Sequence, residues 1–392
     1  MHAGNSPHAE YDVIIVGAGP AGCSTALHLA RLAPDIAART LVLEKAHHPR
    51  HKLCAGGVIP DAERCLQRLG LDISEVPHVT ASQAHFDFAG RGLRMRTRGN
   101  PYAFHVVRRD EFDAWLVRKV RERGIEVREG TRVKSIHVDD DIVRVETATG
   151  TLRARAVVGA DGSNSVVRKA IAVEEQHTHV ARALEIITPP RPETSSHVQT
   201  DSYFDFLCIP QGILGYVWDF PTQIKGEARR CWGVYDSNIA ATEKEIPLRL
   251  ALAEELRRHG FDLAEYELKG HPIRWFDSRN VFAAPRVVLV GDAAGADVLY
   301  GEGISPALGY GEIAAQAIRD AFARQDFSFQ DYRQRVLDSP LGKSLRRRTF
   351  FARIFYRLRH PTVQAFIWRR LGWLVRIIVN TFLIDWTLWG RD

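Results

Sequence analysis

The chain has 392 residues, 45% of them hydrophobic and 26% charged; this is the ordinary globular range and excludes a disordered tail, a collagen and a polytopic membrane protein. At roughly 150 residues per domain there is room for two or three domains. The formal charge is +6, but eleven of the 53 Lys and Arg, against only two Asp, fall in residues 341–392, so the rest is slightly acidic and a general nucleic-acid-binding role loses its support.

The start of the chain, Met1 to Asp12, has no basic stretch and no apolar run. No secretory signal is expected, and the default location is cytoplasmic. Tyr11–Val16 is β-branched and apolar and runs into glycine, so it reads as a buried parallel strand. A helix over Ala21–Ala33 and a strand over Thr40–Leu43 complete a β–α–β unit. Helical spacing follows over Pro60–Leu69, then strand-like alternation in Gln83–Arg96 and Ala103–Val107. Asp110–Glu122 carries Phe112, Trp115, Leu116 and Val120 at helical spacing. Val127–Ala148 reads as a β-meander and Ala156–Gly159 as another buried strand. Residues 180–236, rich in strand formers and aromatics, predict an antiparallel sheet. Leu248–His259 predicts a helix, Val287–Val290 a buried strand and Ile304–Phe322 a long helix. Five widely spaced cysteines without a C-x-x-C pair predict neither a disulfide framework nor a zinc or iron–sulfur site, and no metal is expected.

Gly17-Ala18-Gly19-Pro20-Ala21-Gly22 is a G-x-G-x-x-G between the first strand and the first helix. Gly17 permits the tight turn, Gly19 lets backbone approach a pyrophosphate, and Gly22 lets helix and strand pack closely. The helix N-terminus supplies N–H groups and a positive dipole for the phosphates. Glu44 closes the second strand 22 residues after Gly22, where an acid takes ribose hydroxyls and repels a 2′-phosphate. NADP is therefore disfavoured here, and FAD and NAD remain.

Val157-Val158-Gly159-Ala160-Asp161-Gly162 resembles the "DG" element of the two-domain flavoprotein hydroxylase superfamily, and Val288-Leu289-Val290-Gly291-Asp292-Ala293 resembles its "GD" element. Arg109, Phe112, Asp113 and Leu116 are similar to its R-x-x-F-D-x-x-L segment. The resemblance implies FAD. It brings Asp161, Gly291 and Asp292 to the cofactor, Arg109 near it, and the backbone of Val133 toward the adenine. Gly301-Glu302-Gly303-Ile304 opens the next helix, and the amides of Gly303 and Ile304 are placed to face the flavin. A second G-x-G-x-x-G is absent, so the reductant is external: NAD(P)H visiting transiently, or a protein electron donor.

Two further segments resemble the geranylgeranyl reductase family. Pro49-Arg50-His51-Lys52-Leu53-Cys54-Ala55-Gly56-Gly57 is similar to its P-x-x-K-x-C-G-G, and Tyr216-Val217-Trp218-Asp219-Phe220-Pro221 to its Y-x-W-x-F-P. The resemblance puts Cys54 beside the flavin with Lys52, Ala55 and Gly56 against the cofactor, and Tyr216 and Trp218 on the sheet that roofs the substrate cavity. Cys54, Tyr216 and Trp218 are then the candidate catalytic residues. The cysteine is followed by Ala rather than Gly, and no proline precedes Gly301. Both departures bear on the substrate.

The expected fold is α/β. A Rossmann-like FAD-binding domain (10–80, 100–179 and 275–325) interleaves with an antiparallel substrate-binding sheet domain (81–99 and 180–274), followed by a basic, Trp-rich helical region over 326–392. In that region Leu345, Phe350, Phe351, Ile354, Phe355 and Leu358 fall on one predicted helical face, with Arg346, Arg353 and Arg357 opposite. No uncharged run is long enough to span a bilayer. A basic, Trp-rich amphipathic stretch suits a peripheral contact at the inner face of a membrane through residues 345–390; the alternative is a cap on the cavity or an oligomer contact.

The expected activity is saturation of C=C bonds in an isoprenoid or other long apolar or lipid substrate by hydride from reduced flavin. The alternatives are a flavin monooxygenase or halogenase acting on an aromatic or polyketide, and a membrane-associated flavoprotein passing electrons to quinone.

Overall fold

The computed structural model describes residues 9–96, 101–172, 180–192 and 199–389. Parts of the expected domain segments, 97–100, 173–179, 193–198 and 390–392, lie outside the described residues.

The strand Tyr11–Val16 pairs in parallel with Thr40–Leu43 on one side and Thr151–Gly159 on the other. Glu126–Arg128 extends the sheet past Thr40–Leu43, and Val287–Leu289 extends it past Thr151–Gly159, again in parallel. Central strands of this kind are covered on both faces, which is why they read as continuous Val, Ile and Leu runs. Helix Pro20–Leu32 packs along the long helix Ile304–Arg324 over this sheet. A hairpin, Val133–Val138 with Val143–Thr147, pairs onto the early part of Thr151–Gly159. The sequence reads Val127–Ala148 as one meander. Its first piece instead joins the parallel sheet, with Val127 opposite Val42.

A second sheet has seven strands in the order Lys269–Arg274, Val180–Thr188, Glu227–Asp236, Gly215–Ile224, Ser202–Asp205, Ala84–Phe88, Arg91–Met95. All neighbours are antiparallel except Ser202–Asp205 and Ala84–Phe88. Successive side chains of a strand point to opposite faces. Tyr216, Trp218 and Phe220 therefore share one apolar cluster, while Val217 joins Trp232 and Val234 under helix Leu248–Arg258. A small third sheet, Gly57–Val58, Phe104–Val107 and His78–Ala81, carries the chain between the two larger ones.

The C-terminal region forms helices Tyr332–Asp338, Pro340–Phe355, Pro361–Arg370 and Gly372–Ile378, followed by turns at Val379–Leu383 and Trp386–Leu388. Its inward residues Ala352, Tyr356, Trp368 and Leu383 enter the aromatic core of the seven-stranded sheet. The helix Pro340–Phe355 is rotated from the expected face. Leu345 is buried as predicted, but Phe350 and Ile354 are exposed, and Leu358 beyond the helix is exposed as well. Arg348, Thr349 and Ala352 face inward. The cause is electrostatic: buried acids lie beneath the helix, and Arg348 turns in to meet them. Among the described residues no helix is long and apolar enough to cross a membrane.

Candidate functional site

The carboxyl ends of the parallel strands open on a cavity of about 1070 Å³. In open α/β sheets this is where ligands bind. The phosphate turn lies at its floor. Gly17 has φ +108°, and a Cβ there would sit 2.4 Å from the Ala160 carbonyl oxygen. A Cβ at Gly22 would sit 1.9 Å from the Gly17 carbonyl oxygen. At Gly19 a Cβ would meet nothing closer than Arg50 Nη2, at 3.7 Å. Two of the glycines thus serve packing and the third keeps space open in front of the helix.

Glu44 is buried at the turn. Its Oε2 accepts the Ala18 N–H at 3.0 Å and its Oε1 the Ala46 N–H at 3.0 Å. Two amides fix the carboxylate and leave further lone pairs toward the cavity. Arg109, the first residue of helix Arg109–Glu122, holds the buried Asp113 through two bonds, Nε to Oδ1 at 2.8 Å and Nη2 to Oδ2 at 2.9 Å. Arg50 Nη2 reaches the same carboxylate at 3.1 Å. Asp113 therefore holds both guanidinium groups at the cavity wall. Arg50 and Asp113 were not expected as site residues; an Arg two positions before Lys52 reads as surface charge until the fold places it over Gly19.

Asp161, Gly291, Asp292, Gly303, Ile304 and Val133 also line the cavity. Asp292 accepts a hydrogen bond from Ser163 Oγ at 3.1 Å. Asp161 lines the cavity too, but its carboxylate receives the Ser165 hydroxyl at 2.5 Å and the Val166 N–H at 2.6 Å, so it ties down the next helix. Lys52 contacts His271 Nε2. Burial brings the Lys52 ammonium down to about 8 and the His271 ring down to about 4. His271 had no sequence signal.

Cys54, Ala55 and Gly56 line the same cavity. The Gly56 N–H donates to Cys54 Sγ at 3.4 Å. Gly56 has φ +80°, and a Cβ would strike the Val107 carbonyl oxygen at 2.0 Å, so the loop packs tightly on strand Phe104–Val107. Beyond Cys54 the wall is aromatic. Phe204 stacks on Phe86 at 4.6 Å and meets Tyr216 at 5.2 Å and Phe220 at 5.0 Å. Trp218 lies over Gly233, its register partner, where any Cβ would come within 2.1 Å of the indole. Offset and tilted ring pairs of this kind are stabilising beyond their buried area.

The loop before Gly301 is pinned by three tyrosines. Tyr216 Oη donates to the Tyr300 carbonyl, Tyr235 Oη to Val298 O at 2.9 Å and Tyr356 Oη to Leu299 O at 2.6 Å. Where a proline was missing, hydroxyls from two strands and the C-terminal region stiffen the segment. Tyr235 and Tyr356 escaped the sequence reading because nothing local marks their partners.

The cavity suits a flavin dinucleotide. It offers an open glycine beside a guanidinium, a fixed acid at the end of the second strand, and a helix starting at Ile304 behind Gly303. The sequence profile of the FAD binding domain matches residues 10–303. The chain belongs to that family, and its cofactor is FAD. An uncharacterized protein of Methanosarcina barkeri is 28% identical over 88% of this chain and 84% of its own. A menaquinone reductase of Mycolicibacterium smegmatis is 28% identical over 78% of this chain and 75% of its own. Among solved structures, a geranylgeranyl bacteriochlorophyll reductase-like protein of Thermoplasma acidophilum has the same fold. Its TM-score is 0.76 at 21% identity, covering 97% of this chain and 95% of that one.

Proposed function

We propose that this member of the FAD binding domain family, an FAD-dependent oxidoreductase, saturates C=C bonds of an isoprenoid or other long apolar substrate. The observation that carries the reading is the aromatic wall of Phe86, Phe204, Tyr216, Trp218 and Phe220 directly beyond Cys54 in one cavity. Such a wall favours apolar substrate and asks for no polar partners. The relative named as a menaquinone reductase supports a reductive role for the chain.

Reduced FAD supplies hydride when bound. Gly17, Gly19, Gly22 and the helix after them take the pyrophosphate, Glu44 with Ala18 the ribose, and Val133 the adenine end. Lys52, Ala55, Gly56, Arg109, Asp161, Gly291, Asp292, Gly303 and Ile304 surround the flavin half. Cys54 holds a proton at Sγ for the second alkene carbon. Tyr216 has its hydroxyl engaged by Tyr300 and acts with Trp218 by shape, orienting the chain. In this reading 10–80, 100–179 and 275–325 form the FAD domain and 81–99 with 180–274 the substrate domain. The reductant is NAD(P)H or a protein donor, and the segment 345–390 touches the membrane from which an apolar substrate arrives. Phe350, Phe366 and Trp373, all exposed among arginines, support that contact.

The test is mass spectrometry of lipid incubated anaerobically with chemically reduced protein. A gain of two hydrogens per double bond is expected. Incorporated oxygen once air is admitted, or incorporated halogen once air and halide are both admitted, would select the monooxygenase or halogenase reading. Quinol as the sole product would select electron transfer to quinone.

A further inference from the structure

The cavity is aromatic along one stretch of its wall and ionic along another. Asp61, the second residue of helix Pro60–Arg68, and Arg348 both line it, and each is only 1% exposed. Asp61 Oδ1 is fully engaged: it accepts from Arg64 Nη2 at 3.0 Å, from the Thr387 N–H at 3.0 Å and from Thr387 Oγ1 at 2.6 Å. Arg348 Nε and Nη1 are engaged as well, on the Leu383 carbonyl and on Asp297 and Glu302. The remaining atoms, Asp61 Oδ2 and Arg348 Nη2, are buried without a hydrogen-bond partner. Both belong to one place in the fold. Their anchors Leu383 and Thr387 stand four residues apart, Ile384 and Asp385 between them line the cavity, and the Asp61 charge acts on the Arg348 guanidinium. The loop 297–302 ties this stretch to the aromatic wall: Asp297 and Glu302 hold Arg348, and the ring of Tyr300 between them meets Phe86 edge-on at 6.4 Å.

A buried polar atom left unpaired is costly, and more so on a charged group, so an open acceptor and an open donor in one stretch of cavity wall call for a ligand. A hydroxyl matches both, since it donates one hydrogen bond and accepts another. A carbonyl leaves Asp61 Oδ2 unmatched, and an ammonium leaves Arg348 Nη2 unmatched. An ionised phosphate fails on charge. It would join four carboxyl groups, Asp61, Asp297, Glu302 and Asp385, that are paired with only two guanidiniums, Arg64 and Arg348. We infer that Asp61 and Arg348 form a subsite for a hydroxyl of the substrate, Asp61 Oδ2 accepting its hydrogen bond and Arg348 Nη2 donating to its oxygen. The protein then takes a free prenyl alcohol and discriminates against a prenyl phosphate. The inference rests on the isoprenoid reading of the cavity and narrows it to uncharged, hydroxyl-bearing members of that class.

The experiment titrates oxidised, FAD-loaded, full-length protein with farnesol, farnesyl methyl ether and farnesyl monophosphate, and reads binding from the flavin difference spectrum. The ether keeps the oxygen and loses the proton; the phosphate adds charge. Farnesol is expected to bind roughly tenfold tighter than either, the weight of one hydrogen bond to a charged group. Asp61→Asn keeps Oδ1 for Thr387 and Arg64 and replaces the open acceptor by a donor, so farnesol and its ether are expected to bind within about twofold of each other. Its circular dichroism and flavin content verify the fold. Ether or phosphate binding to the wild type as tightly as farnesol would overturn the inference without any variant, leaving the isoprenoid reading in place and the two atoms to water. Absence of binding by all three probes would overturn that reading and the inference together. Loss of FAD from Asp61→Asn with an unchanged farnesol-to-ether ratio would give the pair to the cofactor and overturn the inference as well.

Discussion

Arg348 Nη1 lies 3.2 Å from Asp297 Oδ2, across 51 residues of sequence and from the basic C-terminal region into the loop that precedes helix Ile304–Arg324. The same nitrogen is 3.3 Å from Glu302 Oε2, and Arg348 Nε donates to the Leu383 carbonyl at 2.8 Å. Arg348 is only 1% exposed. The C-terminal region is therefore a structural part of the cavity, whatever its outer surface touches.

Removing that charge leaves the buried Asp297 and the half-buried Glu302 without a counter-ion, held only by the Leu299, Tyr300 and Ser305 groups that donate to them. Arg348→Met is expected to cost about 3–5 kcal/mol, the usual penalty for breaking one side of a buried ion pair. Urea unfolding with absorbance of the flavin measures both stability and cofactor retention. A variant as stable as the wild type would show that the pair carries no net weight.

Gly19→Val fills the space in front of the first helix without striking backbone, because only Arg50 lies near that Cβ. The protein is expected to fold and purify colourless. Normal far-ultraviolet circular dichroism with a full yellow flavin spectrum would remove the phosphate turn from its assigned role.

Glu185 predicts a stability signature. Its carboxyl is raised from 4.5 to about 7 by burial, so between those values the folded protein binds more protons than the unfolded chain. That contribution is fully present below 4.5 and is lost as pH rises through about 7. Wild type should lose stability relative to Glu185→Gln across this window, by on the order of 3 kcal/mol. Melting temperatures of both at pH 5 and pH 8 give the difference; a gap that does not change with pH counts against a buried, titrating Glu185.

The outer face of the C-terminal region carries Phe366 at 55%, Trp373 at 63% and Ile377 at 49% exposure. Full-length protein is expected to pellet with anionic vesicles and to be released only in part by salt, which screens charge over about 8–10 Å at physiological strength and leaves apolar insertion intact. Replacing these three residues with Ser should keep it in the supernatant. Truncation at Gly342 is a poorer test, since it also removes Arg348 and Tyr356 from the interior. Wild type that ignores anionic vesicles would leave the region only its part in closing the cavity.

The sequence by itself determined what depends on neighbours along the chain. The phosphate turn is legible because Gly17, Gly19 and Gly22 fall within six residues between an apolar strand and a helix. The parallel strands are legible because burial on both faces demands unbroken apolar runs. Tyr216 and Trp218 stand out only through the resemblance of their segment to a known Y-x-W-x-F-P motif; that they share one face follows from strand geometry. Tertiary structure alone decided what depends on partners far away. Asp113 gathers Arg50 and Arg109, and Tyr235 and Tyr356 pin the loop before Gly301. It also reversed Arg348, which helical periodicity leaves unmarked. A charged side chain is placed inside only when the fold supplies opposite charge beneath it, and no local pattern encodes that supply.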